Sequence, residues 1–135
     1  MRPLERVPAV RKIETDRPDA FAVELTGEFN SADAENLCGL LEGAYAIHER
    51  LDLLVRISNL DDVDLSGMST ETRDFMRNHV SKHVGRCAIV DESGWADAVT
   101  KLLKPGGSVE LRRFPPQDEA QAWEWVGARE IAEQI

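Results

Sequence analysis

The sequence predicts an α/β domain with a mostly parallel sheet of about five strands, an N-terminal antiparallel hairpin and four main helices. Apolar, β-branched segments alternate with segments whose apolar residues recur at helical spacing, in the order β-β-α-β-α-β-α-β-α. Each strand-helix-strand step favours a right-handed parallel crossover. Because 135 residues is the usual size of one domain, we predict a single domain over 1–135, with a core over about 10–126 and a C-terminal helical tail over 127–135.

The first half of the chain supplies the hairpin and the first helix. "VRKIE" and "AFAVELT" read as strands, and Pro18 between two aspartates in "TDRPD" predicts the turn that joins them. The next segment, "NSADAENLCGLLEGAYAIHER", has the apolar spacing of one helical face. Asn30 or Ser31 is the predicted N-cap of this helix.

The second half continues the alternation. "LDLLVRIS" and "RCAIV" are predicted inner strands, and between them Phe75, Met76, Val80 and Val84 mark a second helix. "GWADAVTKLLKP" predicts a third helix, "SVELRRF" a last strand, and "PQDEAQAWEWV" a last helix that Gly127 interrupts. The predicted buried strand residues are Phe21, Val23, Leu25, Leu53, Val55, Ile57, Cys87, Ile89, Val109 and Leu111. The helical residues expected to cover them include Leu37, Leu41, Phe75, Val99 and Leu102.

Composition narrows the class of partner. A net charge of -9 opposes binding to a nucleic-acid backbone or an anionic membrane surface, so no nucleic-acid partner is predicted. The start "MRPLERVPAV" lacks the apolar run of a signal peptide, and no later stretch is long enough for a membrane span. We therefore expect a cytoplasmic protein with no integral membrane segment. Cys38 and Cys87 are predicted to be small buried hydrophobes without a disulfide.

Two segments carry a family resemblance. "VRISNLDDVDLSGM" resembles the strand, loop and helix start of the STAS fold, found in sulfate transporters and anti-sigma-factor antagonists, where an Asp-Ser-Ser-Gly motif opens the second helix. "RCAIVDESGWADAVTKLLKPGGSVELRRFPPQDEAQAWEWV" is more specifically similar to the SpoIIAA-like branch of that superfamily. The resemblance covers roughly Phe21 to Val126 and implies a STAS-like domain.

The acidic segment before the second helix does not predict a cation or phosphate site. Asp62, Asp64, Ser66 and Gly67 match the first six positions of an EF-hand loop, but Arg73 stands where the twelfth position needs a bidentate acid. A phosphate-cradling loop needs several glycines, and Gly67 stands alone. Neither a metal nor a cofactor is predicted.

Ser66 has two interpretations. It matches the serine that anti-sigma-factor antagonists phosphorylate, although Leu65 replaces the first serine of the family motif. A phosphate there would repel or release a protein partner. Alternatively, Ser66 is a helix N-cap whose hydroxyl accepts the backbone N–H of Met68 or Ser69, worth about 1 kcal/mol. The residues favour the cap.

No arrangement of catalytic side chains is recognisable. His79 and His83 are four residues apart, as two imidazoles of a metal site can be, but no third ligand is evident. No Ser-His-Asp or Cys-His motif is present. We therefore do not predict an enzyme.

Aromatic residues and methionines suggest a binding groove, with ordinary core packing as the alternative. Trp123 and Trp125 must diverge, because residues two apart on a helix do not share a face. The candidate groove residues are Met68, Phe75, Met76, His79, Trp95, Phe114 and Trp125. The family's likeness to CRAL-TRIO lipid-binding domains implies a non-catalytic module that binds a protein partner or a small apolar, lipid-like ligand. The alternative is a phosphorylation-controlled partner switch at Ser66. A sheet edge and a spare Trp also favour a homodimer.

Overall fold

The computed structural model describes residues 9–91, 94–95, 97, 100 and 109–131. Strands and helices alternate along this part of the chain, as the sequence predicts. In chain order the elements are β1 (Val10–Ile13), β2 (Ala20–Asn30), α1 (Ser31–Ile47), β3 (Leu51–Asp64), α2 (Thr70–His83), β4 (Val84–Asp91), β5 (Glu110–Phe114), a 3-10 turn (Pro116–Asp118) and α3 (Glu119–Val126).

The five strands form one sheet in the order β1-β2-β3-β4-β5. β1 and β2 pair antiparallel, and every later pair is parallel. The predicted α/β class, the strand number and the N-terminal hairpin are therefore confirmed. Three α-helices lie in the described part of the chain rather than the four predicted. Most of the segment predicted as a further helix, including Val99 and Leu102, lies outside the described residues.

Side chains alternate between the two faces of the sheet and make two apolar layers. On one face the strands pack under α1 and α2. On the other face a smaller layer packs under α3. The predicted strand core is buried except for Leu111, which is half-buried, and Leu37 and Leu41 cover it. Phe75 was predicted to join this core, but it is 36% exposed because it sits at the outer rim of α2.

The two middle strands extend well beyond the apolar runs that predict them. β2 continues past Thr26 to Asn30, and β3 continues past Ser58 to Asp64. The extension is possible because Gly27 (φ 69°) and Asn59 (φ 52°) take left-handed backbone angles, at irregularities after which parallel pairing resumes. The acidic run before Ser66 is therefore strand and not loop.

Helix starts agree with the prediction in α1 and differ in α2. Asn30 caps α1 in a reciprocal capping box with Asp33. The N-cap of α2 is Ser69, whose hydroxyl accepts the backbone N–H of Thr72 at 3.1 Å. The prediction that Ser66 caps this helix is wrong, because residues 65–68 form a turn before the helix begins.

The end of the chain is also different from its prediction. Gly127 stops α3 in the left-handed region (φ 78°), as expected of a C-terminal glycine. Residues 128–131 are extended and not helical, so the predicted helical tail is wrong over this stretch. Glu130 bridges Thr15, and Ile131 N–H donates to the Glu14 carbonyl at 2.9 Å. The tail thus lies along the connection between the two strands of the hairpin.

Within the described residues no helix is both long enough and apolar enough to cross a lipid bilayer.

Candidate functional site

The residues predicted to form one groove fall on opposite faces of the sheet. Met68 is buried on the side of α1 and α2, where Phe75 and His79 also lie. Trp95 packs on the same side, and its indole N–H donates to the Leu60 carbonyl at 2.7 Å. Phe114 and Trp125 belong to the layer under α3. The predicted single groove is therefore wrong, and the side chain of Met76 lies outside the described part of the structure.

Cations cover the aromatic pair on the α3 side. The guanidinium carbons of Arg86 and Arg112 lie 5.4 and 5.5 Å from the ring centre of Trp125. Arg86 also donates to the Trp125 carbonyl at 2.6 Å, and Trp125 lies 6.0 Å from Phe114. These rings form a cation-π cluster rather than an open apolar surface.

A groove with a mostly apolar lining lies between α1 and the N-terminal hairpin. It has a volume of about 420 Å³, within the usual range for small-molecule sites. Its apolar walls are Ile13, Ala20, Phe21, Leu40, Ala44 and Ile47. This groove was not predicted from the sequence, because it depends on two glycines that carry no side chain and not on the aromatic residues.

Two glycines of α1 keep the groove open. Gly39 and Gly43 lie one helical turn apart and both line it. A Cβ atom added at either position would meet no atom within 4 Å, so the helix face is bare there. Because a glycine inside a helix is less stable than alanine by about 1 kcal/mol, this open face lowers helix stability. Ile47, at the end of the same face, is 77% exposed.

The charged residues that line the groove are Lys12, Arg17 and the acidic Glu14. Lys12 lies with its ammonium 5.7 Å from the ring centre of Phe21, and it has no carboxylate partner among the described residues. Arg17 is already paired with Asp19 at 2.9 Å and with Asp52 at 3.3 Å. Its hydrogen bond to Asp19 raises the pKa of Arg17 and fixes the guanidinium in place. Lys12 is thus the cation left to meet a ligand.

A second, smaller pocket lies between α1 and α2. It has no room for a water molecule, and its lining residues are Cys38, Leu41, Tyr45, Phe75 and His79. Two polar atoms in it, the Tyr45 hydroxyl and His79 Nδ1, are buried and have no hydrogen-bond partner in the described structure. Burial raises the pKa of the Tyr45 hydroxyl.

The two histidines of α2 stack and do not converge on a point. Their ring centres are 5.6 Å apart with planes 14° from parallel. His83 Nδ1 lies 2.8 Å from the Glu49 carbonyl, which only accepts, so this nitrogen carries the proton. Among the described residues no group of three or more His, Cys, Asp or Glu is arranged to hold a metal ion.

The thiols are buried, as predicted, and neither is activated. Cys38 and Cys87 are free and buried. Burial raises the pKa of Cys87 to about 12, and burial, followed by the charge of Glu42, raises that of Cys38. Thiols that are protonated at neutral pH are poor nucleophiles.

Ser66 lies exposed in the turn between β3 and α2. Its hydroxyl and backbone N–H hydrogen-bond to Asp64 and lower the pKa of that carboxyl. The neighbouring Gly67 faces the start of α1, since a Cβ on it would come within 2.8 Å of the Ser31 hydroxyl. The turn therefore lies close to the N-terminus of α1.

The matches with known proteins agree with this architecture. A sequence model of the SpoIIAA-like family matches residues 20–127. The chain belongs to the SpoIIAA-like family. One similar solved structure is a crystal structure of an uncharacterized protein with a SpoIIAA-like fold from Shewanella loihica. It has 23% sequence identity and a TM-score of 0.60, covers 91% of this chain and 98% of its own, and shows the fold alone. No curated protein matches the sequence.

Proposed function

We propose that this SpoIIAA-like protein is a non-catalytic binding module that holds a small apolar, lipid-like ligand in the groove between α1 and the hairpin. The observation that supports it is the bare helix face at Gly39 and Gly43 beneath about 420 Å³ of free space. Two glycines inside a helix lower its stability relative to alanine. A ligand that occupies the open face would explain why the helix has glycine at both positions.

The charges favour a ligand with an anionic head. The walls are largely apolar, and beside the acidic Glu14 the rim carries Lys12, which has no carboxylate partner among the described residues. A saturated carboxylate could place its chain against Phe21 and the glycines and its head beside the ammonium. Because each buried methylene contributes about 0.8 kcal/mol, the affinity should rise roughly fourfold per added carbon until the groove is full.

The test is a calorimetric titration with straight-chain carboxylates of increasing length. Gly43→Leu should abolish binding, because its side chain would occupy the open space above the helix. Gly43→Ala is the matched control, since it adds one methyl to the same position and should keep binding within a fewfold. Unchanged binding by Gly43→Leu would contradict the site. Mass spectrometry of the ligand after incubation should return it intact, which tests the non-catalytic part.

The same pair of variants gives a prediction about stability. Gly43→Ala should raise the free energy of unfolding by roughly 0.5 to 1 kcal/mol, because alanine is the better helix former and meets no steric contact there. Urea denaturation measures it. A loss of stability would mean that the face at Gly43 is packed and not open.

A protein-partner switch at Ser66 is the second candidate. The observation in its favour is that Ser66 is exposed and is not needed as a helix cap. A phosphate on it would lie near the positive end of α1 and add charge to an acidic surface. Capture of a protein partner by Ser66→Ala but not by Ser66→Asp would support the switch. Equal capture by both variants would contradict a switch at Ser66.

Self-association is the remaining part of the proposal. β1 and β5 are the outer strands of the sheet, so each presents one edge that no described strand pairs with. An unpaired edge can join the same edge of a second copy.

A further inference from the structure

The connection between the two strands of the hairpin, residues 14–19, forms one wall of the groove. Four of its residues line the cavity: Glu14, Thr15, Arg17 and Pro18. None of the residues 14–19 is buried. A segment without buried side chains has little apolar packing to fix its position, so the position of this wall depends on polar contacts.

Arg17 joins this wall to the end of α3. Its Nη1 donates to the carbonyls of Val126 and Gly127, at 2.8 and 3.3 Å. Val126 is the last residue of α3, and the last carbonyls of a helix have no helical N–H partner. The negative end of the helix dipole also favours a cation at this place.

The remaining nitrogens of Arg17 are bonded as well. Nε donates to Asp19 at 2.9 Å, and Nη2 donates at 3.3 Å to Asp52, near the start of β3. A planar guanidinium carries five N–H donors in fixed directions and can serve all these acceptors together, whereas a lysine ammonium cannot. Gly127 permits the close approach, since a Cβ atom there would lie 3.2 Å from Arg17 Nη1.

The C-terminal segment contacts the same wall. The Asp16 N–H donates to the Arg129 carbonyl at 3.0 Å, and the Arg129 N–H donates to Asp16 Oδ1 at 2.8 Å. The Ile131 N–H donates to the Glu14 carbonyl at 2.9 Å. Because α1 and α3 pack on opposite faces of the sheet, the wall has the groove on one side and the end of α3 with the C-terminal segment on the other.

We propose that Arg17 is the positioning residue of the groove, through which the end of α3 and the C-terminal segment set the volume of the groove and the longest apolar chain that it holds. This role rests on the proposed function, since it concerns the same groove. Arg17 acts through the wall and not on the ligand, because all three of its nitrogens already have protein acceptors. Lys12 remains the cation for an anionic head.

The test replaces Arg17 with lysine, which keeps the positive charge and loses the fork of donors. In the full chain without ligand, hydrogen exchange of the Asp16 and Ile131 amides should become at least about tenfold faster, since a lost hydrogen bond to a charged group changes an equilibrium by roughly that factor. In titrations with straight-chain carboxylates, Arg17→Lys should go on gaining affinity at chain lengths beyond the optimum of the parent protein. A residue that only stabilised the fold would lower Tm and leave the optimal length where it is.

Arg11→Lys is the matched control. Arg11 also pairs with a carboxylate of the hairpin, Glu24, but it does not line the groove, so this variant should leave both readouts unchanged. The same optimal length in Arg17→Lys and the parent protein, or unchanged exchange of both amides, would overturn the proposal. If no carboxylate binds the parent protein, the proposed function is wrong and control of chain length falls with it, while hydrogen exchange still decides whether Arg17 fixes the wall.

Discussion

At the scale of single residues, Ser66 and Ser69 have different structural roles although they are only three positions apart. Ser69 accepts the Thr72 N–H and satisfies an otherwise unpaired donor in the first turn of α2, whereas Ser66 only closes a local turn with Asp64. Ser69→Ala should therefore lower the free energy of unfolding by about 1 kcal/mol. Ser66→Ala should stay within about 0.5 kcal/mol of the parent protein. Urea denaturation of both variants checks this prediction. A larger loss of unfolding free energy in Ser66→Ala than in Ser69→Ala would mean that Ser66, and not Ser69, caps the helix.

A buried strand residue gives the strongest expected effect of a single substitution. Ile89 in β4 is fully buried, with strands paired on both sides. Ile89→Ala should lower the free energy of unfolding by about 2 to 5 kcal/mol, because it leaves a cavity in the layer under α1 and α2. Ile47→Ala is the control, since Ile47 is 77% exposed and its loss should be small. A loss below half a kcal/mol at Ile89 would be inconsistent with its burial.

At the scale of elements, an ion-pair network holds the C-terminal segment to the sheet. Arg56 in β3 contacts Glu24 at 3.1 Å, Glu119 at 2.7 Å and Glu130 at 2.9 Å, and its side chain is only 14% exposed. Trp123 also donates to Glu119 at 3.1 Å. The network therefore joins β2, β3, α3 and the tail across one face of the sheet.

This network predicts a dependence of stability on pH. Burial alone would raise the pKa of Glu24, but hydrogen bonds from Arg11 and the charge of Arg56 lower it below the ordinary value of 4.5. A carboxyl with a lowered pKa in the folded state stabilises the protein above its unfolded pKa, and this contribution is lost as pH falls through the folded pKa. The free energy of unfolding should thus decrease below about pH 4.5. Glu24→Gln should flatten that decrease in urea titrations, and an identical slope in both proteins would contradict it.

The elements were more predictable than the sites. Apolar, β-branched runs were enough to predict all five strands, because inner strands of a parallel sheet are buried on both faces and are apolar almost throughout. The lengths of β2 and β3 could not be predicted in this way, because their extensions depend on left-handed angles at Gly27 and Asn59 and on pairing with each other.

The predicted groove failed for a related reason, because it depended on how the elements pack. Phe75 and Phe114 are equally aromatic in sequence, but α2 carries Phe75 over one face of the sheet, whereas Phe114 at the end of β5 points to the other face. The spacing of Gly39 and Gly43 was the available signal for the real groove.

At the scale of the whole molecule, α1 presents a different surface to each of its neighbours. It presents bare glycine backbone to the hairpin and the ring of Tyr45 to α2. Its apolar side chains Leu37 and Leu41 are buried in the core. A ligand in the groove would therefore contact a helix that core packing holds in place.

Self-association is also a property of the whole molecule. The net charge of -9 makes two copies repel each other, and this repulsion is screened when salt shortens the Debye length from about 10 Å at 0.1 M to about 3 Å at 1 M. Edge-to-edge strand pairing has no such dependence. We therefore expect a homodimer that becomes tighter as salt is raised. Light scattering across micromolar concentrations, at low and high salt, should approach twice the monomer mass of 15.1 kDa. A constant mass of one chain under all these conditions would show that the sheet edges do not pair, and the monomer would then be the unit that binds ligand.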